Sequence, residues 1–199
     1  MPLTILLMAA TAFLCLPAAH MTAPGLNAFS SGLLHPWMTP THVIILLALG
    51  LWIGQHVPLR LGLPCKVFAP LSAGALAVST TKWITVVPPF ILVTITLVIA
   101  AMIALEARLP SSIRVVLLGA AAIGLGLDSA PETTAPLATF STLAGTWVSL
   151  GLGLVNIAYY VSLAAALQKK WISIGIRVAG SWIFAISLLM VAFALRRHP

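Results

Sequence analysis

The chain has 199 residues, of which 61% are hydrophobic and 7% are charged, and its mean hydropathy is +1.13. Three acidic and ten basic residues cannot cover the surface of a soluble domain of this length, so most of the chain must face lipid. The net charge of +7 comes from bases that stand singly or in pairs between apolar runs, a pattern typical of membrane-protein loops that argues against nucleic-acid binding.

The N-terminal residues 1–19 are predicted to be a signal peptide or a signal-anchor segment. The apolar core Leu3–Leu16 has the length of a signal sequence, and the small pair Ala18–Ala19 suits a cleavage site. No Lys or Arg precedes that core, and Pro17 lies where a small residue is preferred, so an uncleaved anchor stays open. Cleavage after the alanine pair would make His20 the new N-terminus and pair its imidazole with a free amine.

Residues 20–199 are predicted to form a single transmembrane helical domain. The fold class is all-α, a polytopic membrane bundle with about six transmembrane helices joined by short connections. The two cysteines form no readable disulfide framework or metal site. The six apolar segments are Leu33–His56, Leu63–Thr80, Trp83–Leu105, Ile113–Leu127, Leu137–Leu167 and Ile172–Leu195.

The first of these segments carries two histidines, His35 and His42, among prolines and threonines. An imidazole side chain is energetically unfavourable in lipid and is a good ligand for borderline divalent metals. On a straight helix the two rings would lie about 10.5 Å apart along the axis, too far to share one ion. They could serve one site if the stretch from Pro36 to Pro40 is not helical. The alternative is that each is an interfacial residue without a ligand.

Basic residues predict the orientation of the bundle. Six bases fall in the first, third and fifth connections and three on the opposite side, which places those three connections in the cytoplasm and the N-terminus outside. The six are Arg60, Lys66, Arg108, Arg114, Lys169 and Lys170, and the three are Lys82, Arg196 and Arg197. In this orientation His20, His35, Asp128 and Glu132 all gather on the outer face.

Helix length predicts that His42 and Asp128 share a depth in the membrane. Because an isolated ionisable group is costly there, we also predict that the first and fourth segments touch and bring these two side chains together. As helices, His42–His56 and Arg114–Asp128 would each span about 21 Å, less than the ~30 Å hydrocarbon core. Broken segments at matching depth are the best sequence indication of a transport site. Asp128 could instead cap its helix, and Glu132 could be a solvated loop residue. The residues expected to interrupt the two segments are Pro36, Pro40, Gly124, Gly126 and Pro131.

The fifth segment carries small residues at a four-residue repeat: Ser141, Gly145, Ser149 and Gly153. Small residues let membrane helices approach closely, so this face is predicted to serve helix packing.

The first segment resembles the signature of the HupE/UreJ family of bacterial nickel/cobalt permeases. That signature is approximately His-Pro-x-x-Gly-x-Asp-His; here His35, Pro36 and His42 match it, while Thr39 and Thr41 replace the glycine and the aspartate. The signal-like start ending in Ala-His and the six spans also fit the family. The family's fourth span usually carries a His-rich motif ending in Glu. The corresponding stretch here, GLGLDSAPE, matches only at Glu132 and lacks the histidines, and Asp128 could substitute as a ligand.

The resemblance implies a secondary permease that moves a divalent metal cation of the nickel or cobalt type across the bacterial inner membrane. Its expected metal ligands are His35, His42, Asp128, Glu132 and His20, with the ion as substrate and no permanently bound cofactor. The expected partners are the lipid bilayer, the metal ion and either further copies of the chain or a membrane subunit. The alternative is a non-transporting subunit that docks a partner through its small-residue helix face. The sequence shows no pairing of a nucleophile with a general base and no Walker motif, so no enzymatic activity is expected.

Overall fold

In a computed structural model the protein is described over residues 26–81, 88–107, 109–131 and 135–196. Over these ranges every regular element is an α-helix, which confirms the predicted all-α membrane bundle. The predicted segment 1–19, His20 and Glu132 lie outside the described residues. The helices are α1 Ala28–Met38, α2 Pro40–Gly54, α3 Gly62–Ser79, α4 Pro89–Ala104, α5 Ser111–Asp128, α6 Pro136–Ala166 and α7 Lys170–Arg196.

Four helices of the described chain, α3, α5, α6 and α7, are long and apolar enough to cross a membrane. The helices α1 and α2 together make a fifth candidate span that is bent by 73°. The expected count was about six, and the difference lies in α4. Its apolar part, Phe90–Ala104, is shorter than a full span, and residues 82–87 before it lie outside the described residues.

The bend between α1 and α2 follows from the sequence Thr39-Pro40. A residue before proline is driven towards extended backbone, and Thr39 has φ −98° and ψ 108°. Proline has no N–H to donate and a fixed φ, so Pro40 suits the first position of α2. The predicted interruption of the first segment is therefore confirmed at this point.

Helix α2 forms the centre of the bundle. Ile45, Leu46, Ala48 and Leu49 have no exposed surface, and they pack among α4, α6 and the ends of the neighbouring helices. Helix α3 pairs with α5, α4 pairs with α7, and α1 pairs with α6. Many large apolar side chains on the outside are exposed, as a lipid-facing surface requires.

The prediction that Gly124 and Gly126 interrupt the fourth apolar segment is wrong. Helix α5 runs without a break through Gly124 and Gly126 and ends at Asp128. The glycines instead let neighbouring helices approach: a Cβ on Gly126 would lie 2.6 Å from the Cβ of Ala75 in α3, and one on Gly124 would lie 2.7 Å from Leu92 in α4. Their role is close packing, because a helix tolerates glycine wherever its neighbours supply the contacts.

Three connections meet at one end of the bundle. A cavity of about 440 Å³ there is lined by Gln55, Glu106 and Lys169, which belong to the connections after α2, α4 and α6. Arg177 of α7 lines the same cavity, and its Nε donates to the carbonyl of Ala104 at 3.1 Å. The grouping of basic connections at one end, expected from the sequence, is therefore present.

Candidate cation site

The site centres on a pair of ionisable side chains from two different helices. His42 Nε2 lies 2.9 Å from Asp128 Oδ2, and the His42 side chain has no exposed surface while that of Asp128 is 27% exposed. The prediction that the first and fourth apolar segments bring His42 and Asp128 together is confirmed. Isolated ionisable groups are costly in a membrane, and their pairing lowers that cost.

The two partners lie at helix ends. His42 is in the first turn of α2, and its backbone N–H bonds to the carbonyl of Thr39 at 3.0 Å. Asp128 is the last residue of α5. The N-terminus of a helix carries a partial positive charge from its unpaired N–H groups, so the start of α2 favours a carboxylate beside it.

His35 belongs to the same cluster. Its ring centroid lies 5.5 Å from that of His42, with the ring planes at 71°. A straight helix would have separated the two histidines by about 10.5 Å along its axis. The 73° bend at Thr39 is what brings them together. The condition stated for a shared site, a non-helical stretch from Pro36 to Pro40, is wrong as stated, because Pro36 lies inside α1 and only Thr39 leaves the helical conformation.

Helix α1 is held in place by the small-residue face of α6. A Cβ on Gly145 would overlap the backbone carbonyl of Phe29, and one on Gly153 would lie 3.0 Å from the Trp37 ring. Ser149 Oγ donates to the carbonyl of Leu33 at 2.6 Å and accepts a hydrogen bond from Trp37 Nε1 at 2.9 Å. The packing role predicted for this face is confirmed, and the face is occupied by α1 of the same chain.

Sequence reasoning missed one residue of this support, Thr146. Pro36 has no N–H, so the carbonyl of Gly32, four residues earlier, receives no helical hydrogen bond from it. Thr146 Oγ1 lies 3.2 Å from that carbonyl and 3.0 Å from the carbonyl of Thr142 in its own helix. The signal was present in the sequence as a proline inside α1, but its partner is 114 positions away.

The remaining predicted ligands are not assembled here. His20 and Glu132 lie outside the described residues. Within the ranges that the structure describes, no group of three or more His, Cys, Asp or Glu side chains is arranged to hold a metal ion. His35, His42 and Asp128 lie close together, but they do not form such a group. His42 Nδ1 is buried and has no hydrogen-bond partner among the described atoms, so it is the nitrogen left for a ligand.

Comparison with known proteins agrees with this architecture. No curated protein and no solved structure matches the chain. A family model described as HupE / UreJ protein matches residues 5–190, and that family is associated with nickel/cobalt uptake. It is a family of transporter-like membrane proteins and not of enzymes. Because the match covers nearly the whole chain, this multi-pass membrane protein belongs to the HupE/UreJ family.

Proposed function

We propose that this protein is a secondary permease that moves a divalent transition-metal cation, of the nickel or cobalt type, across the bacterial inner membrane. The observation that carries the proposal is the buried His42, which pairs with Asp128 through Nε2 and has no hydrogen-bond partner at Nδ1. A side chain this polar is retained inside a membrane bundle at a cost, and a substrate pathway is the usual reason.

The pair supplies the chemistry that such an ion needs. In the tautomer of His42 whose Nε2–H donates to the carboxylate, Nδ1 carries the lone pair that binds metal. The carboxylate fixes the ring and offsets part of the charge of the ion. His35 is close enough to act as a second imidazole, and water or the predicted ligands His20 and Glu132 complete the shell.

The partial shell suits a substrate better than a resident ion. A transported ion must leave the site, so its ligands are fewer and more easily exchanged than those of a structural metal site. The break between α1 and α2 is the kind of irregular backbone that membrane proteins tolerate only around a cavity or buried in protein.

Uptake of radioactive nickel or cobalt by cells that express the chain tests the proposal. His42→Ala and Asp128→Asn should each abolish uptake while the protein remains inserted and folded. Two matched controls should keep uptake: Cys65→Ser removes an exposed soft ligand, and Glu106→Gln removes a carboxylate at the other end of the bundle.

The opposite result has a clear meaning. Uptake that survives both His42→Ala and Asp128→Asn would show that the pair lies outside the transport path and serves folding alone. Cells that express the wild-type chain and take up no more metal than cells without it would contradict the permease proposal, and the chain would then be a non-transporting membrane subunit.

A further inference from the structure

A cavity lies at the other end of α2 from His42. It has a volume of about 580 Å³ and is formed where α2 ends and where α3 and α5 begin. His42 and Trp52 are separated by about 15 Å of helix, and Arg114 precedes Asp128 by about 21 Å on α5. The cavity is therefore separate from the cation site.

Its lining combines two cations with an apolar wall. Arg60 and Arg114 both line the cavity, and among the described lining residues none is acidic. The apolar side is made by Trp52, Ile53, Leu63 and Leu118. Two guanidinium groups without an acidic neighbour in the lining repel a divalent cation and attract an anion.

The backbone adds to this preference. Gly62, Leu63 and Pro64 of the first turn of α3 line the cavity, and α3 is a helix of 18 residues. The N-terminal end of a helix carries partial positive charge, and Gly62 and Leu63 carry the N–H groups that favour a phosphate there, because Pro64 has none.

We infer that this cavity binds the phosphate group of an anionic phospholipid, with Arg60 and Arg114 on the phosphate and the acyl chains along the apolar wall. Guanidinium groups recognise phosphate oxygens through paired N–H donors. Basic pockets between membrane helices on the cytoplasmic side bind anionic headgroups, and the distribution of loop bases predicts that side for this end. The apolar wall favours a lipid over free phosphate, since inorganic phosphate leaves that surface unused.

Lipid binding to the purified full-length chain in mild detergent tests the inference. Native mass spectrometry should show dioleoyl phosphatidylglycerol retained more strongly than dioleoyl phosphatidylcholine, which has the same acyl chains and a zwitterionic headgroup. Arg60→Gln with Arg114→Gln should weaken phosphatidylglycerol binding about twenty-five-fold, since each arginine contributes roughly five-fold. The matched control, Lys66→Gln with Arg196→Gln, removes two exposed bases outside the cavity and should change it little.

Three results would overturn the inference. The first is equal retention of the two lipids, and the second is equal phosphatidylglycerol binding by the double variant and the wild type. The third is stabilisation of the protein against unfolding by inorganic phosphate alone that matches its stabilisation by the lipid. If the double variant fails to fold, the single variants Arg60→Lys and Arg114→Lys are measured in its place. Each should retain the charge and part of the binding, because lysine binds phosphate as a point charge without the paired donors.

Discussion

At the level of single side chains, the pairing of His42 with Asp128 decides which atom can bind a ligand. The two nitrogens of a neutral imidazole differ, and the hydrogen bond made by one fixes the role of the other. Here Nε2 faces the carboxylate at 2.9 Å, and in the neutral tautomer whose Nε2–H donates to that carboxylate the lone pair lies on Nδ1. In this arrangement Asp128 acts through His42 and positions its ring, whereas the sequence indicated it either as a direct ligand or as a helix cap.

Asp128→Asn should lower the affinity of the purified protein for Ni²⁺ by about ten- to a hundred-fold, the usual cost of losing a carboxylate partner of a metal-binding histidine. Isothermal titration calorimetry measures this affinity. The unfolding temperature should change little, because asparagine keeps an oxygen that accepts from Nε2.

Glu106→Gln is the control for that titration, since it also replaces a carboxylate by an amide, but in the connection after α4. Its Ni²⁺ affinity should equal that of the wild type. An Asp128→Asn protein that binds Ni²⁺ as tightly as the Glu106→Gln protein would show that the carboxylate does not support the ligand.

At the level of helices, the cation site depends on how α1 is anchored. Thr146 is 1% exposed and supplies a donor to the Gly32 carbonyl that Pro36 leaves without its helical partner. A buried carbonyl without a donor costs about 1–3 kcal/mol. Thr146→Val keeps the shape and removes the hydroxyl, so it should lower the free energy of unfolding by about that amount.

Thermal unfolding in detergent measures this loss. Thr94→Val is the matched control, because Thr94 is exposed and its hydroxyl bonds only to Phe90 of its own helix. That control should unfold close to the wild-type temperature. Equal unfolding temperatures for the two variants would mean that the Gly32 carbonyl does not depend on Thr146.

Gly145 and Gly151 of α6 offer a second matched pair. A side chain on Gly145 would overlap the backbone of α1, whereas nothing lies within 4 Å of a Cβ on Gly151. Gly145→Leu should therefore displace α1 and lower the yield of folded protein, at a cost of about 1–3 kcal/mol or more. Gly151→Leu should be tolerated. Size-exclusion chromatography of both variants checks the difference, and equal profiles would contradict the packing assigned to this face.

How far the sequence predicts this structure depends on the range of each interaction. Composition identifies the membrane class, and Thr39-Pro40 predicts the break, because both depend on neighbouring residues. Equal helix length predicted that His42 and Asp128 share a depth, and the cost of burying each ionisable group alone predicted that they meet. The roles of Thr146, Gly124 and Gly126 could not be predicted, since each depends on which helix lies opposite, and a single sequence does not contain that pairing.

At the scale of the whole bundle, the two ends differ in the charge of their side chains. The end with the connections after α2, α4 and α6 carries Arg60, Arg114 and Lys169 around its cavities, and the other end holds the His42–Asp128 pair. Because positive loops tend to remain in the cytoplasm, this polarity predicts that the cation site lies towards the outer face. An ion arriving from outside would then meet the histidines before it meets the arginines.

Cysteine labelling with a membrane-impermeant maleimide tests this orientation in spheroplasts, with Cys15 and Cys65 first replaced by serine. Ala130→Cys is a better probe of the outer end than the neighbouring Ser129, since Ala130 is exposed and Ser129 is only 3% exposed. Gln168→Cys probes the exposed connection between α6 and α7. Ala130→Cys should react in intact spheroplasts and Gln168→Cys only after lysis. The reverse pattern would place the arginine-lined cavity outside and the His42–Asp128 pair inside, so that a cation entering from outside would first meet the repelling charges.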